Sequence, residues 1–149
     1  MTEIIFKVPG VPQPWPKKTL RRLKSGRMIM LPTDVRKVNG RNVYGGKQQW
    51  IESVRLFATI AMGDRPTFES NIAVIVSYEF YLPKPKHPQY RYMVTKPDLD
   101  NLAYAVTNAL KGVVYKDDSQ VVQMTAVKTY TNGFEPHTAI KISTLEDKE

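Results

Sequence analysis

The chain has 149 residues, no cysteine and a formal net charge of +8. This length fits one ordinary domain, and the lack of cysteine excludes disulfide frameworks, thiolate zinc sites and cysteine nucleophiles. It also agrees with a reducing compartment, so the cytoplasm is the expected location. No apolar run in the sequence approaches the roughly 20 residues that a membrane helix requires.

The positive charge is concentrated in the first third of the chain. Residues 1–50 contain eleven Lys and Arg against two acidic residues, a balance of +9, which leaves −1 for residues 51–149. Such clustering favours a polyanionic partner, because Lys and Arg that neutralise phosphates release condensed counterions. Nucleic acid is therefore the expected partner, and a solvated basic loop or an anionic membrane surface is the alternative.

The first elements in chain order are a strand, a basic arm and a helix. Ile4, Phe6 and Val8 alternate with other residues and predict a short strand. Residues 11–46 carry four prolines and nine basic residues without periodicity, which predicts a long basic arm with a small hairpin around residues 24–27. Helical spacing of apolar residues then predicts a helix from about Trp50 to Gly63.

The second half predicts one more helix among three strands. Residues 72–82 alternate over eleven positions and predict a central strand that is buried on both faces. A helix with Asp100 as its N-cap follows, ends near Gly112, and is succeeded by strands at residues 121–130 and 138–144 with a turn between them. The order is β-α-β-α-β-β: one α+β domain over residues 1–149, with a mixed sheet, two helices and a short charged tail at 146–149.

Four aspartates predict a metal site. Asp98 and Asp100 flank Leu99 in a step that is expected to be extended, so both carboxylates share one side. The segment after the second helix is long enough to return Asp117 and Asp118 to the start of that helix. Gathered carboxylates repel one another unless a divalent cation neutralises them, and oxygen ligands suit Mg²⁺ or Mn²⁺, which can activate water for phosphodiester hydrolysis. The alternative is that Asp100 caps a helix and Asp117-Asp118 form a turn.

A segment of the chain resembles the signature of the RusA family of Holliday junction resolvases. It comprises Lys96-Pro-Asp-Leu-Asp-Asn-Leu102, then Ala109-Leu-Lys-Gly-Val-Val-Tyr-Lys-Asp-Asp-Ser-Gln-Val121, and then Lys128. The resemblance implies a homodimeric endodeoxyribonuclease that depends on Mg²⁺, with Mn²⁺ as a substitute. Its substrate would be the four-way DNA junction, resolved by paired symmetric nicks in DNA recombination and repair. Families of this kind are often encoded by phages and prophages.

The resemblance also assigns residues. The family's catalytic, metal-binding aspartates match Asp98, Asp100 and Asp118, and Asp117 matches a supporting position among the metal ligands. One departure is Tyr104, which stands where family members usually carry a lysine that would stabilise charge in the transition state. This predicts a reduced rate, with Lys96 as the expected substitute cation. The rival predictions are a catalytically weak or inactive junction-binding protein, a nuclease of forks or flaps, and a basic RNA-binding protein.

The expected DNA contacts are basic residues directed at phosphates: Lys17, Lys18, Arg21, Arg22, Lys24 and Lys96. Trp15 lies between two prolines and is expected to anchor the arm onto the domain; stacking on an unpaired base is the alternative. A dimer is expected on grounds of symmetry, because a four-way junction has near two-fold symmetry and a symmetric pair of protomers presents two equivalent active sites.

Overall fold

The protein folds into a four-stranded sheet with two helices and two small hairpins, as seen in a computed structural model that describes residues 2–16, 18–32 and 35–145. In chain order its elements are β1 (Glu3–Pro9), β2 (Lys18–Arg22), β3 (Met28–Pro32), β4 (Val35–Val38), β5 (Arg41–Tyr44), α1 (Gly46–Met62), β6 (Ala73–Leu82), α2 (Leu99–Ala109), β7 (Val121–Tyr130) and β8 (His137–Leu145).

The main sheet has the strand order β1-β8-β6-β7 and is mixed. β8 pairs antiparallel with both β1 and β6, whereas β6 and β7 are parallel. Parallel neighbours require a crossover, and α2 supplies it by running back across the sheet between them. The expected α+β domain with a mixed sheet and two helices is therefore confirmed. Within the described residues, neither helix has the length and apolarity needed to cross a membrane.

The core lies between the helices and one face of the sheet. Val74, Val76, Tyr78, Phe80 and Leu82 point alternately to this face and are buried. The other face of β6 is only partly covered, since Ala73 and Ile75 are half-buried. The prediction of burial on both faces is therefore wrong. β6 is central because β8 and β7 flank it, while both helices occupy one side.

The basic arm contains two hairpins where one was predicted. β2 and β3 pair antiparallel around the expected turn at residues 24–27. The second hairpin, β4 with β5, turns at Asn39-Gly40, where both residues have positive φ (52° and 76°). Asn-Gly is the strongest short-range signal for such a turn, so the sequence carried this information. The charged tail at 146–149 lies outside the described residues.

Candidate active site

The start of α2 positions the first pair of aspartates. Asp98 is the N-cap residue in extended geometry (φ −69°, ψ 141°), and its carbonyl accepts the Leu102 amide at 3.1 Å. Asp100 therefore lies in the first helical turn and is exposed, which corrects the prediction that it caps the helix. Leu99 packs against the core, as expected, and the helix starts two residues earlier than predicted. Acidic residues in this turn interact favourably with the helix dipole.

Two lysines surround Asp98. Lys96 Nζ donates to Asp98 Oδ2 at 2.8 Å, and both side chains remain accessible to solvent. Lys128 Nζ donates to the carbonyl oxygens of Thr95 and Pro97, at 2.8 and 2.9 Å, and so fastens the segment before α2 to the far end of β7. Lys128 was recognised as part of the family signature but was assigned no role, although it is the one charged residue in its strand.

Asp98 borders a cavity of about 450 Å³ at the end of the sheet. Its other lining residues are Val11, Pro12, Gln13, Pro14, Trp15, Lys47, Leu82, Lys96, Pro97 and Asn101. The proline-rich segment that follows β1 and the start of α2 thus both line this cavity. Of the described aspartates, Asp98 alone lines this cavity.

Tyr104 lies on the outer face of α2, one turn beyond Asp100, and is half exposed (51%). Its ring meets Trp15 edge-on, with 5.8 Å between the ring centroids. Trp15 is partly buried and packs against the core. The prediction that Trp15 anchors the basic arm is therefore confirmed, and Tyr104 provides part of the anchoring surface.

The second aspartate pair lies in a short 3-10 turn, Asp118–Gln120, that leads into β7. Ser119 Oγ donates to Asp117 Oδ2 at 2.6 Å, and Lys111 Nζ lies 3.0 Å from Asp117 Oδ1. The Ser119 hydrogen bond and then the Lys111 ammonium lower the pKa of Asp117 to about 2. The same pairing raises the pKa of Lys111. Asp117 is thus a firmly held anion at the carboxyl end of α2.

The side chain of Gln120 holds this turn in place through hydrogen bonds. Its side chain is buried, and Oε1 accepts the amides of Lys116 and Asp117 at 2.9 and 3.0 Å. Nε2 donates to the carbonyl oxygens of Glu69 and Ile72 at 2.7 and 3.0 Å. Sequence reasoning missed Gln120, although Asp117 and Gln120 have the spacing of a capping box.

The two aspartate pairs lie at opposite ends of α2. The helix has 11 residues and is about 16 Å long. The segment after it does not return as predicted, because Gly112 N bonds to Tyr115 O at 2.7 Å and Phe68 N bonds to Val114 O at 2.8 Å. Tyr115 Oη also donates to Thr107 O at 2.5 Å and keeps the segment at the carboxyl end of α2. The expectation of one shared pocket is therefore wrong for a single protomer.

A metal ion does not fit this arrangement within one protomer. Across the part of the chain that the structure describes, no three His, Cys, Asp or Glu side chains come close enough together to hold one. The acidic chemistry needed to bind Mg²⁺ is present, but it is divided between two ends of a helix.

The expected DNA contacts are partly visible. Arg22 and Lys24 are exposed on the β2–β3 hairpin, and Lys96 is exposed beside Asp98. Lys17 lies outside the described residues, as do the side chains of Lys18 and Arg21. Among the other lysines near the site, Lys116 pairs with Glu69 at 2.6 Å.

Residues 9–143 match the family model of endodeoxyribonuclease RusA. The chain therefore belongs to the RusA family. A curated relative, the uncharacterized protein YqaN of Bacillus subtilis (strain 168), is 46% identical over 48 residues. That match covers 32% of this chain and 32% of the relative, so the chain spans about a third of the length of that protein.

Proposed function

We propose that the protein is a homodimeric, divalent-metal-dependent endodeoxyribonuclease that resolves four-way DNA junctions by paired nicks in two opposing strands. The match of residues 9–143 to the RusA family carries this proposal. The concentration of basic charge in residues 1–50 supports it, because a branched DNA is a dense polyanion. DNA recombination and repair in the cytoplasm is the corresponding biological setting, with phage or prophage DNA as a common source of such genes.

In this proposal, Asp98, Asp100 and Asp118 are the catalytic carboxylates, and Mg²⁺ is the metal, with Mn²⁺ as a substitute. Asp117 supports them, since Ser119 and Lys111 already engage its oxygens. Lys96 forms an ion pair with Asp98. We propose that its ammonium replaces the positive charge of the family lysine, whose position Tyr104 occupies. A cation there would stabilise negative charge that accumulates on the phosphate.

The proposed DNA surface extends from the basic arm to the start of α2. Arg22, Lys24 and Lys96 are exposed along it, and Lys17, Lys18 and Arg21 are proposed to join them. Contacts to phosphates position the duplex without reading its sequence. A structure-selective enzyme needs that property, because it must bind branches of different sequence.

A second candidate function is junction binding with little or no cleavage. The specific observation that favours it is Tyr104, which occupies the lysine position with a half-exposed aromatic side chain. Both candidates predict junction binding, so only strand nicking separates them.

The test is a comparison of synthetic substrates of identical sequence: a four-way junction, a fork, a flap and a linear duplex. We expect nicks in two opposing strands of the junction in Mg²⁺, and no nicks after EDTA is added. Equal cleavage of the linear duplex would contradict junction selectivity, and preferred cleavage of the fork or flap would favour a different nuclease. Tight junction binding without nicks in Mg²⁺ or Mn²⁺ would establish the second candidate.

A further inference from the structure

The cavity beside Asp98 has the size and the lining of a binding site. Its volume of about 450 Å³ lies within the range of roughly 300–1,000 Å³ that is usual for ligand pockets. Most of its lining residues are apolar, and two of the others, Gln13 and Asn101, carry amide side chains. An apolar wall with a few polar groups is typical of sites in which those groups fix the orientation of a ligand. The proposed hydrolysis uses Asp98 and Lys96, so most of the cavity has no role in it.

The aromatic part of the wall is held in place by the protein itself. Trp15 lies between two prolines, which restrict the backbone, and its ring meets Tyr104 edge-on at 5.8 Å between the centroids. The segment that leads to Trp15 starts from a fixed point, because Gly10 N donates to Pro136 O at 3.0 Å. A surface that is already ordered loses little conformational entropy when a ligand binds. Trp15 therefore offers the cavity a preformed stacking surface.

The two amide side chains suit the edge of a nucleobase. Each amide presents two N–H donors and one carbonyl acceptor, and Asn and Gln pair with adenine through two hydrogen bonds. Gln13 and Asn101 are both partly buried. In the part of the chain that the structure describes, neither side chain makes a hydrogen bond to another residue. Their donors and acceptors are therefore available to a ligand in the cavity.

The charged residues of the lining suit a phosphate. Lys47, in the first turn of α1, and Lys96 both border the cavity. The Lys96 side chain is 82% exposed and can reach a phosphate while it remains close to Asp98, at 2.8 Å. An ammonium binds phosphate as a point charge. A flat ring, a polar ring edge and a phosphate are combined in a nucleotide, so a nucleotide matches all three features of the cavity.

We propose that this cavity takes up one unpaired nucleotide of the DNA junction, with its base stacked on Trp15 and its edge facing Gln13 and Asn101. The proposal rests on the proposed function and identifies the part of the substrate that the protein recognises. Extrusion of a base from a duplex is unfavourable, and least so where the base is already unpaired. Uptake would therefore favour branched over linear DNA and would bring the neighbouring phosphate to Asp98.

The first test compares two four-way junctions that differ in one unpaired residue at the branch point, a deoxyadenosine or an abasic residue. Binding is measured in EDTA, so that no strand is cut. The wild-type protein should bind the deoxyadenosine junction about tenfold more tightly, because stacking of a base on an aromatic ring is worth about that factor. Trp15→Leu keeps an apolar anchor and should bind both junctions equally, whereas Trp15→Phe should keep most of the difference. Equal Kd values for the wild-type protein would overturn the proposal.

The fluorescence of Trp15 gives a second readout. The chain has two tryptophans, and Trp50 is buried, with its indole N–H unpaired among the described residues. Trp50→Phe therefore loses no hydrogen bond to them and leaves Trp15 as the single reporter. A base that stacks on the indole should quench its emission, so the deoxyadenosine junction should quench Trp15 more strongly than the abasic junction. The same quenching by both junctions would contradict stacking.

The contact with the base edge is tested by Gln13→Ala and Asn101→Ala. Across four junctions that carry each of the four bases as the unpaired residue, the wild-type protein should show Kd values that differ by about tenfold. Each variant should narrow this range to about threefold and still prefer a base to an abasic residue. Gln49→Ala, at an exposed glutamine of α1, is the matched control and should keep the wild-type range. An unchanged range in both cavity variants would overturn the edge contact.

Strand nicking in Mg²⁺ separates this site from the proposed function. A wild-type protein that nicks the junction but binds the deoxyadenosine and abasic junctions equally would keep the proposed function and refute the uptake of a nucleotide. A protein that prefers the base by about tenfold but nicks no junction would possess the site and refute the nuclease.

Discussion

At the residue scale, the sequence located the acidic residues but not their partners. Contiguous motifs are visible along a chain, so Asp98, Asp100, Asp117 and Asp118 could be selected in advance. The contacts that fix them come from distant residues: Lys128 reaches across 31 and 33 positions to Pro97 and Thr95. Such contacts depend on strand order, which the periodicity of a single sequence does not encode.

Tyr104→Lys tests the departure from the family pattern at the residue scale. A lysine there would project from the outer face of α2, one turn beyond Asp100, and supply a cation to the reacting phosphate. We expect the junction-nicking rate to rise by about tenfold or more, because one well-placed electrostatic donor is commonly worth that much. Tyr104→Phe is the control and should not raise the rate. An unchanged rate in Tyr104→Lys would show that Lys96 already supplies the charge.

At the element scale, the apolar periodicity predicted the helices and the long strands. The path of the connection between α2 and β7 was predicted wrongly. The spans of α1, β6 and β7 agree with the prediction to within a few residues. The segment from residue 112 to 118 was expected to return along α2, because its length permits this. Tyr115 decides otherwise: it is fully buried, donates to Thr107 O at the carboxyl end of α2, and holds the segment there. Chain length sets what a segment can reach, but side-chain burial determines where it goes.

Tyr115→Phe measures that anchoring. The substitution leaves the buried carbonyl oxygen of Thr107 without its side-chain donor, and a lost buried hydrogen bond costs about 1–2 kcal/mol. We expect the free energy of unfolding to fall by about that amount in chemical denaturation. Tyr92→Phe, at a residue that is 72% exposed, is the matched control and should change it by less than about 0.5 kcal/mol. Equal effects of the two substitutions would contradict the anchoring role.

Gln120→Ala tests the turn that carries Asp117 and Asp118. Because its amide serves two backbone donors and two carbonyl oxygens, its removal leaves several buried polar groups unpaired. We expect a loss of about 2–4 kcal/mol in the free energy of unfolding, measured in urea. The control is Gln123→Ala on the exposed part of β7, which should be nearly neutral. A neutral Gln120→Ala would show that the turn is held by other contacts.

At the scale of the whole molecule, charge and class were predictable but topology was not. Length and composition predicted one basic domain, and the order of the predicted elements predicted the α+β class. The family match agrees with the resemblance found in the motifs. The sheet order β1-β8-β6-β7 was not predicted. In this sheet β6 and β7 are parallel, so α2 must run back between them, and it separates Asp98 at its start from Asp118 beyond its end. Whether carboxylates converge is thus a property of the assembled sheet, which residue patterns alone do not reveal.

The salt dependence of junction binding tests the proposed DNA surface. Arg22→Ala and Lys24→Ala each remove one exposed cation from the β2–β3 hairpin. We expect each to reduce the slope of log Kd against log salt by about 1, with similar loss of affinity for junctions of different sequence. Arg65→Ala, an exposed arginine in the loop after α1, is the control and should leave the slope unchanged. Equal slopes for all four proteins would place the DNA elsewhere.

The central claim is that the three aspartates cut the junction and do not serve to bind it. The most direct measurement follows nicking and binding of one labelled four-way junction by Asp98→Asn, Asp100→Asn and Asp118→Asn, beside Asp64→Asn as an exposed control. If the three aspartates are catalytic, the first three variants should lose nicking by at least about a hundredfold while the junction Kd stays within a few-fold of wild type, and the control should retain both. Nicking at the wild-type rate by any of the three would contradict it.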